Sequence, residues 1–233
     1  MAAFQDLGIQ PSVNVTDAEL GNLYDRVLVR GGERPVYEAI RRRGRYGRCP
    51  YCGQRDVGTL DHYLPQASFP EFSVLPINLI PCCRDCNHEK LEHIPSTNID
   101  QFFHPYFDDW SEFEILKAEI RMGSTIDVTF RINVEALPLQ VSGRAATQFS
   151  QLKLGALYAK QAGVELVQRR EFFQGTFGSG GRQALESELR REHHSRRRLF
   201  SNAWEPVLYL ALAESEQFCS GGWESIDEPQ ISI

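Results

Sequence analysis

The sequence predicts an α+β chain whose small, metal-organised centre is flanked by N-terminal helices and by a C-terminal β-hairpin with further helices. Three observations lead there. Two C-x-x-C pairs, Cys49/Cys52 and Cys83/Cys86, lie in a stretch rich in Pro, Cys, His and Asn and poor in periodicity, as in regions that fold around metal rather than a large apolar core. Residues 124–135 alternate apolar and polar side chains, the pattern of a half-buried strand. On either side of these segments apolar residues recur at helical intervals. The expected organisation is an N-terminal helical segment over 1–45, a central core over 46–108, and a hairpin-and-helix region over 109–233 that binds substrate or a partner.

Composition bounds the reading. The 233 residues are 42% hydrophobic and 24% charged, enough for a core without disulfide support. No apolar run approaches the ~20 residues needed to cross a bilayer, so no membrane association is expected. The start "MAAFQDLGIQ" has neither a basic end nor an apolar stretch, which predicts a cytoplasmic chain with reduced cysteines. Five of the six cysteines fall between residues 49 and 86, with Cys219 apart, a distribution suited to a metal site.

The elements follow in order. Thr16 and Glu19 have capping-box spacing, Leu20, Leu23, Tyr24 and Val27 share a helical face, and Gly31 and Gly32 stop the helix. A second, shorter helix starts at Pro35. In the C-terminal region Ile126, Val128, Phe130, Ile132 and Val134 form the apolar side of a strand, paired through Gly123 with "FEILKAEIR". Phe149, Leu152, Ala156, Ala159 and Leu166 mark a helical stretch, and further helices are expected over 183–199 and 203–214. The stretch "GTFGSGGR", Gly175–Arg182, reads as a mobile loop. Trp110, Trp204 and Trp223 read as packing aromatics.

Four thiolates about 2.3 Å from a central ion satisfy zinc's tetrahedral preference, and two C-x-x-C turns present them in pairs. Cys82 is left over as a small buried residue. The thirty residues between the pairs exceed the loop of a plain zinc ribbon, so something is built inside it. There stand Asp61, His62 and Asn78, and after the last cysteine come Asn87, His88 and Lys90.

The segments "LDHYLP", "INLIP" and C-x-x-C-N-x-x-K resemble the HNH endonuclease motif of the ββα-metal nucleases, in the version braced by two C-x-x-C knuckles. The resemblance spans roughly residues 45–108. The wider phrasing "FPEFSVLPINLIPCCRDCN" followed by "FHPYFDD" also resembles a bacterial subgroup met near anti-phage defence genes. The resemblance implies a metal-dependent hydrolase of nucleic-acid phosphodiester bonds, DNA foremost, leaving 5′-phosphate and 3′-hydroxyl ends. His62 takes the place of the general base, since a neutral imidazole accepts a proton at cytoplasmic pH. Asp61 supplies a hard oxygen to a catalytic Mg²⁺ or Mn²⁺. Asn78 holds the loop that carries the base. Asn87 is the second protein ligand to that ion, with His88 the alternative: neighbours on a helix project about 100° apart, so only one can coordinate. Cys49, Cys52, Cys83 and Cys86 hold structural zinc. The alternative function is a zinc-braced nucleic-acid- or protein-binding module without catalysis.

Arg43, Arg45 and Arg48, just before the first cysteine pair, and Lys90 are candidate substrate contacts. A second Arg cluster, Arg190, Arg191, Arg196, Arg197 and Arg198, surrounds His193 and His194, where a solvated helix face competes with phosphate contact. His104, with Asp108 and Asp109, reads as a packed turn, with substrate or metal contact as the alternative. The net charge of −6 argues against unaided binding of long duplexes. It motivates a protein partner, such as an ATPase or sensor subunit, that recruits the nucleic acid.

Overall fold

The computed structural model describes residues 15–226, and these form an α+β structure in two compact units. The first runs to Asp109 and takes in Leu139–Leu152; the second is Trp110–Pro138 with the chain from Lys153 onward. The structure departs from the expected 109–233 region in returning residues 139–152 to the first unit. The reason is polar as well as apolar. Arg144 and Gln148 are buried, and their side chains bond the backbone of Gln101, Phe102, Phe103 and Tyr51.

In the first unit, α1 (Asp17–Leu23) opens on Thr16, whose hydroxyl accepts the Glu19 N–H while the Glu19 carboxylate accepts from the Thr16 backbone. The helix widens into a π-turn over Tyr24–Val29 before the glycines. Next, α2 (Arg34–Arg41) has Pro35 in its first turn, where no amide donor is needed, and buries Tyr37 and Ile40. The strands β1 (Thr59–His62) and β2 (Leu79–Cys82) pair antiparallel, Asp61 opposite Ile80 and His62 opposite Leu79. The helix α3 (Arg84–Lys90) follows directly, its N-terminus capped by the Cys83 sulfur. Leu28, Tyr37, Ile40, Leu60 and Leu79 form the apolar cluster between these elements.

In the second unit, β3 (Leu116–Met122) and β4 (Ile126–Ile132) make the expected hairpin, in register from Leu116↔Ile132 to Met122↔Ile126. Between them and the next helix of this unit lies α4 (Leu139–Gln151), the helix that belongs to the first unit. Then α5 (Leu154–Gln168) begins at Lys153, whose φ of 53° breaks what the sequence presents as one helical stretch. The helices α6 (Arg170–Arg197), α7 (Trp204–Glu214) and the short α8 (Glu216–Cys219) complete the unit, α6 against α7 and α7 against β3.

One expectation is corrected here. Gly175–Arg182 is not a loop but part of α6, with non-helical backbone only at Gly180 and Gly181. Flanking anchors hold it helical: Phe173 packs on Phe218, Phe177 on Trp223, and Leu185 and Leu189 are fully buried. Four of the five arginines of the late cluster are paired within the unit. Arg190 pairs with Glu186, Arg191 with Glu188, Arg196 with Glu192 and Arg197 with Glu114. His193 is buried with Nδ1 on the Pro206 carbonyl. Trp204 and Trp223 are buried, as expected of packing aromatics. Among the described residues, no helix is long and apolar enough to cross a membrane.

Candidate active site beside a four-cysteine centre

The ligand atoms of Cys49, Cys52, Cys83 and Cys86 all lie within 4.8 Å of one another, and all four residues are buried. The cluster can hold a metal ion such as zinc, since four sulfurs this close match a tetrahedral ligand set, and thiolates buried away from water are costly unless coordinated. Amide donors favour the thiolate form, the Arg55 N–H to Cys52 and the Cys86 N–H to Cys83, both through sulfur. The neighbouring thiols of Cys49 and Cys52, with Cys86, hold Cys83 well below the usual thiol range. Cys82 lies outside the cluster and is buried on β2, where burial raises its thiol.

The segment between the two knuckles builds a second site. Asp61 and His62 are strand neighbours, so their side chains leave β1 on opposite faces. Asp61 is 4% exposed. Its Oδ2 accepts the Tyr51 hydroxyl at 2.7 Å, and Lys90 Nζ sits 3.2 Å from Oδ1 and 3.1 Å from Oδ2. Burial pushes the Asp61 carboxyl up, against the pull of Lys90 and Tyr51. His62 is half-buried, with Nε2 2.8 Å from the Ser73 carbonyl oxygen and its ring edge-on to Tyr24 at 4.5 Å. A carbonyl only accepts, so Nε2 carries the proton and Nδ1 is left as the acceptor. Burial lowers the His62 pKa, with the Ser73 carbonyl opposing the effect and Lys90 adding to it.

Asn78 ties the intervening loop. Its Oδ1 accepts the Leu64 N–H at 2.8 Å, and its Nδ2 donates to the carbonyls of Leu64 and Phe72, both at 3.2 Å. Leu64, two residues after His62, and Phe72, next to Ser73, are thereby fixed, which holds the imidazole and its carbonyl partner in register.

Asp61, His62 and Asn87 all border one cavity of about 860 Å³, together with Asp17, Gly21, Tyr24, Asp25, Gln66, Leu91 and Glu92 among others. The helix α1 forms one wall, held by the Ser73 hydroxyl donating to the Leu20 carbonyl at 2.7 Å. His88 does not border the cavity and is exposed, so Asn87 is the α3 residue that faces it.

The basic candidates are distributed differently from expectation. Lys90 is corrected: at 1% exposure it cannot meet a substrate, and its ammonium instead joins Asp61 and the His62 carbonyl, the latter at 2.8 Å. Arg43, Arg45 and Arg48 do not border the cavity. Arg48 is spent on the first knuckle, donating to the Gly53 carbonyl and to Gln54. His104 is a packed turn: its backbone N–H donates to Asp108, Nε2 donates to the Ile77 carbonyl, and Nδ1 accepts the Tyr106 N–H. Asp108 in turn pairs with the buried Arg144.

Tyr24, Tyr51 and Ser73 are site residues that sequence reasoning did not single out. Tyr51, a polar ring inside "CPYC", carried a signal, because a hydroxyl in so buried a segment needs a partner. Ser73 carried none, since it acts on His62 through its backbone.

Two expected results follow. Lys90→Met strands a buried carboxylate, and such an uncompensated charge costs about 3–5 kcal/mol. Chemical denaturation is expected to show that loss in the first unit, with Lys90→Met/Asp61→Asn recovering part of it. For His104, burial holds the imidazole below its ordinary 6.5, although the Ile77 carbonyl and Asp108 oppose this. The folded state therefore binds that proton less readily than the unfolded chain. Its contribution is complete above 6.5 and is lost as pH falls from there toward the lowered value. Urea titrations between about pH 7 and 5 are expected to show declining stability, with a shallower decline in His104→Gln.

No family model matches the chain, and no solved structure matches it. Protein ea31 of Escherichia phage lambda is 33% identical over 217 residues, covering 85% of this chain and 67% of the relative. Identity at that level over that span makes the chain a member of the family that contains lambda ea31.

Proposed function

We propose that the chain is a metal-dependent HNH endonuclease that hydrolyses phosphodiester bonds of nucleic acid, DNA foremost, and that it acts in the conflict between bacteria and phage. The observation that carries the reading is the convergence of Asp61, His62 and Asn87 on one cavity, beside a β-β-α segment clamped by four cysteines. Zinc is the proposed occupant of the cysteine cluster. A neutral imidazole with Nδ1 unprotonated suits the removal of a proton from water, and the Ser73 carbonyl stabilises the imidazolium that results. Asn78 limits the freedom of that ring by fixing the loop around it.

Asp61 and Asn87 are the residues that would hold Mg²⁺ or Mn²⁺. A carboxylate offers about four lone-pair positions. Tyr51 on Oδ2 and Lys90 on both oxygens use three of these and leave about one for a hard cation on Asp61. Such an ion supplies charge stabilisation at the scissile phosphate and the leaving oxygen. Lys90, unable to reach substrate, sets the charge of Asp61. The acidic balance of the chain supports recruitment of substrate by a protein partner, of ATPase or sensor type.

The heavy engagement of Asp61 favours a second reading, a zinc-braced binding module without catalysis. Incubating the protein with defined DNA and RNA substrates in Mg²⁺, in Mn²⁺ and in EDTA separates the two. Cleavage with either cation that stops in EDTA is the expected result. Intact substrates under every condition would leave only the binding module.

A further inference from the structure

The segment "RRRGRYGR", Arg41–Arg48, leads into the first cysteine pair and carries the densest positive charge on an acidic chain. Arg42, Arg43 and Arg45 are exposed, and Tyr46, which follows them, is 71% exposed. Tyr46 also has φ 55° and ψ 27°, left-handed backbone that an aromatic residue rarely adopts.

The turn itself imposes that backbone. The Gly47 N–H donates to the Gly44 carbonyl at 2.9 Å, the Arg48 N–H to Arg45 at 3.1 Å, and the Val57 N–H to Gly47 at 2.8 Å. A Cβ at Gly44 would lie 2.6 Å from the Val57 side chain. Arg48 ties the far end to the cysteine knuckle. Glycine or asparagine would fit position 46 without strain, and glycines already stand at 44 and 47. At such exposure the ring buries little area in return for its strain, which directs attention to function.

We infer that Tyr46 is a stacking platform for an unpaired base of a nucleic-acid strand, with Arg42 and Arg45 on the flanking phosphates. An aromatic face accepts any base, and neighbouring guanidinium groups neutralise the backbone on either side. The Arg45 guanidinium lies 5.5 Å from the Tyr46 ring centroid, so the charge is presented with the ring. Placement on a turn braced by the cysteine centre gives the platform a fixed position. It also gives a chain of net charge −6 a local means of holding an anionic strand. The inference rests on the reading of the chain as acting on nucleic acid, but on residues outside the cavity and on binding rather than cleavage.

The test measures binding of a fluorescent oligodeoxythymidine to the full chain without added divalent metal. Wild type, Tyr46→Asn, Tyr46→Phe and Arg45→Ala are compared, with zinc content and Tm recorded for each. Tyr46→Asn is expected to weaken binding roughly tenfold with zinc content retained and Tm unchanged or higher, because asparagine tolerates the left-handed turn. Tyr46→Phe is expected to stay within about twofold of wild type. Arg45→Ala is expected to lower the salt slope by about 0.7. Unchanged affinity in Tyr46→Asn, a fall in its Tm and zinc content together, or no binding by wild type would each overturn the inference. Tyr46-dependent binding without cleavage under any condition would uphold it while removing the nuclease reading. Cleavage that is indifferent to Tyr46 would do the reverse.

Discussion

Replacing His62 with alanine is expected to slow Mg²⁺-dependent cleavage of plasmid DNA by about a hundredfold to ten-thousandfold, the usual contribution of a positioned general base. The geometry makes this a clean substitution. His62 gives one hydrogen bond, to the Ser73 carbonyl, and one ring contact, to Tyr24. The Asp61, Tyr51 and Lys90 network and the Asn78 tethers do not use its side chain. Zinc content and thermal unfolding should therefore match wild type while the rate collapses. A variant that cuts as fast as wild type would end the assignment of His62, and with it the role proposed for the cavity.

Cys83→Ala is expected to have the larger effect on folding. Binding of zinc to four-ligand structural sites supplies about 10–16 kcal/mol in small peptides, and whole domains are stable by about 5–15 kcal/mol. Losing one of four ligands thus removes a contribution as large as the stability it supports. Cys83 is also the N-cap of α3, with its sulfur on the Cys86 N–H, so the helix that carries Asn87 and Lys90 loses its start as well. The measurements are metal stoichiometry and limited proteolysis. The expected pattern is loss of zinc with rapid cutting between residues 46 and 108, while the second unit, which has its own core around Leu185, Leu189 and Leu208, stays resistant. Wild type without bound zinc would show that the cysteine cluster is not a metal site, and a metal-free variant that remained folded would show that the metal does not sustain the fold.

What was legible in the sequence was whatever local chemistry specifies. The Thr16 and Glu19 capping box, Pro35 at the start of α2, and the alternation of β4 from Ile126 to Ile132 are each decided within a few residues and stand where the pattern puts them, whereas Val134, read as part of the strand, lies exposed in a 3-10 turn beyond it. The C-x-x-C spacing brought four sulfurs together. Misreadings arose where tertiary packing outweighed local preference. The glycines of Gly175–Arg182 signal a loop, but aromatic anchors at Phe173 and Phe177 keep the backbone helical around them. Lys90 looked like a surface cation, because sequence shows its charge but not the buried carboxylate opposite it. The Ser73 carbonyl and the split of α4 from α5 at Lys153 left no mark, since a backbone oxygen and a single φ angle are written in no side chain.

The return of Leu139–Leu152 to the first unit has a consequence for synthesis of the chain. Asp108 leaves the ribosome well before Arg144, its buried counter-charge, and between them Trp110–Pro138 belongs to the other unit. The half that holds the cavity cannot finish folding until part of its neighbour has been made. A fragment ending at Asp109 would expose an unmatched carboxylate, so a nascent or truncated product would be held short of its completed form by chain order alone.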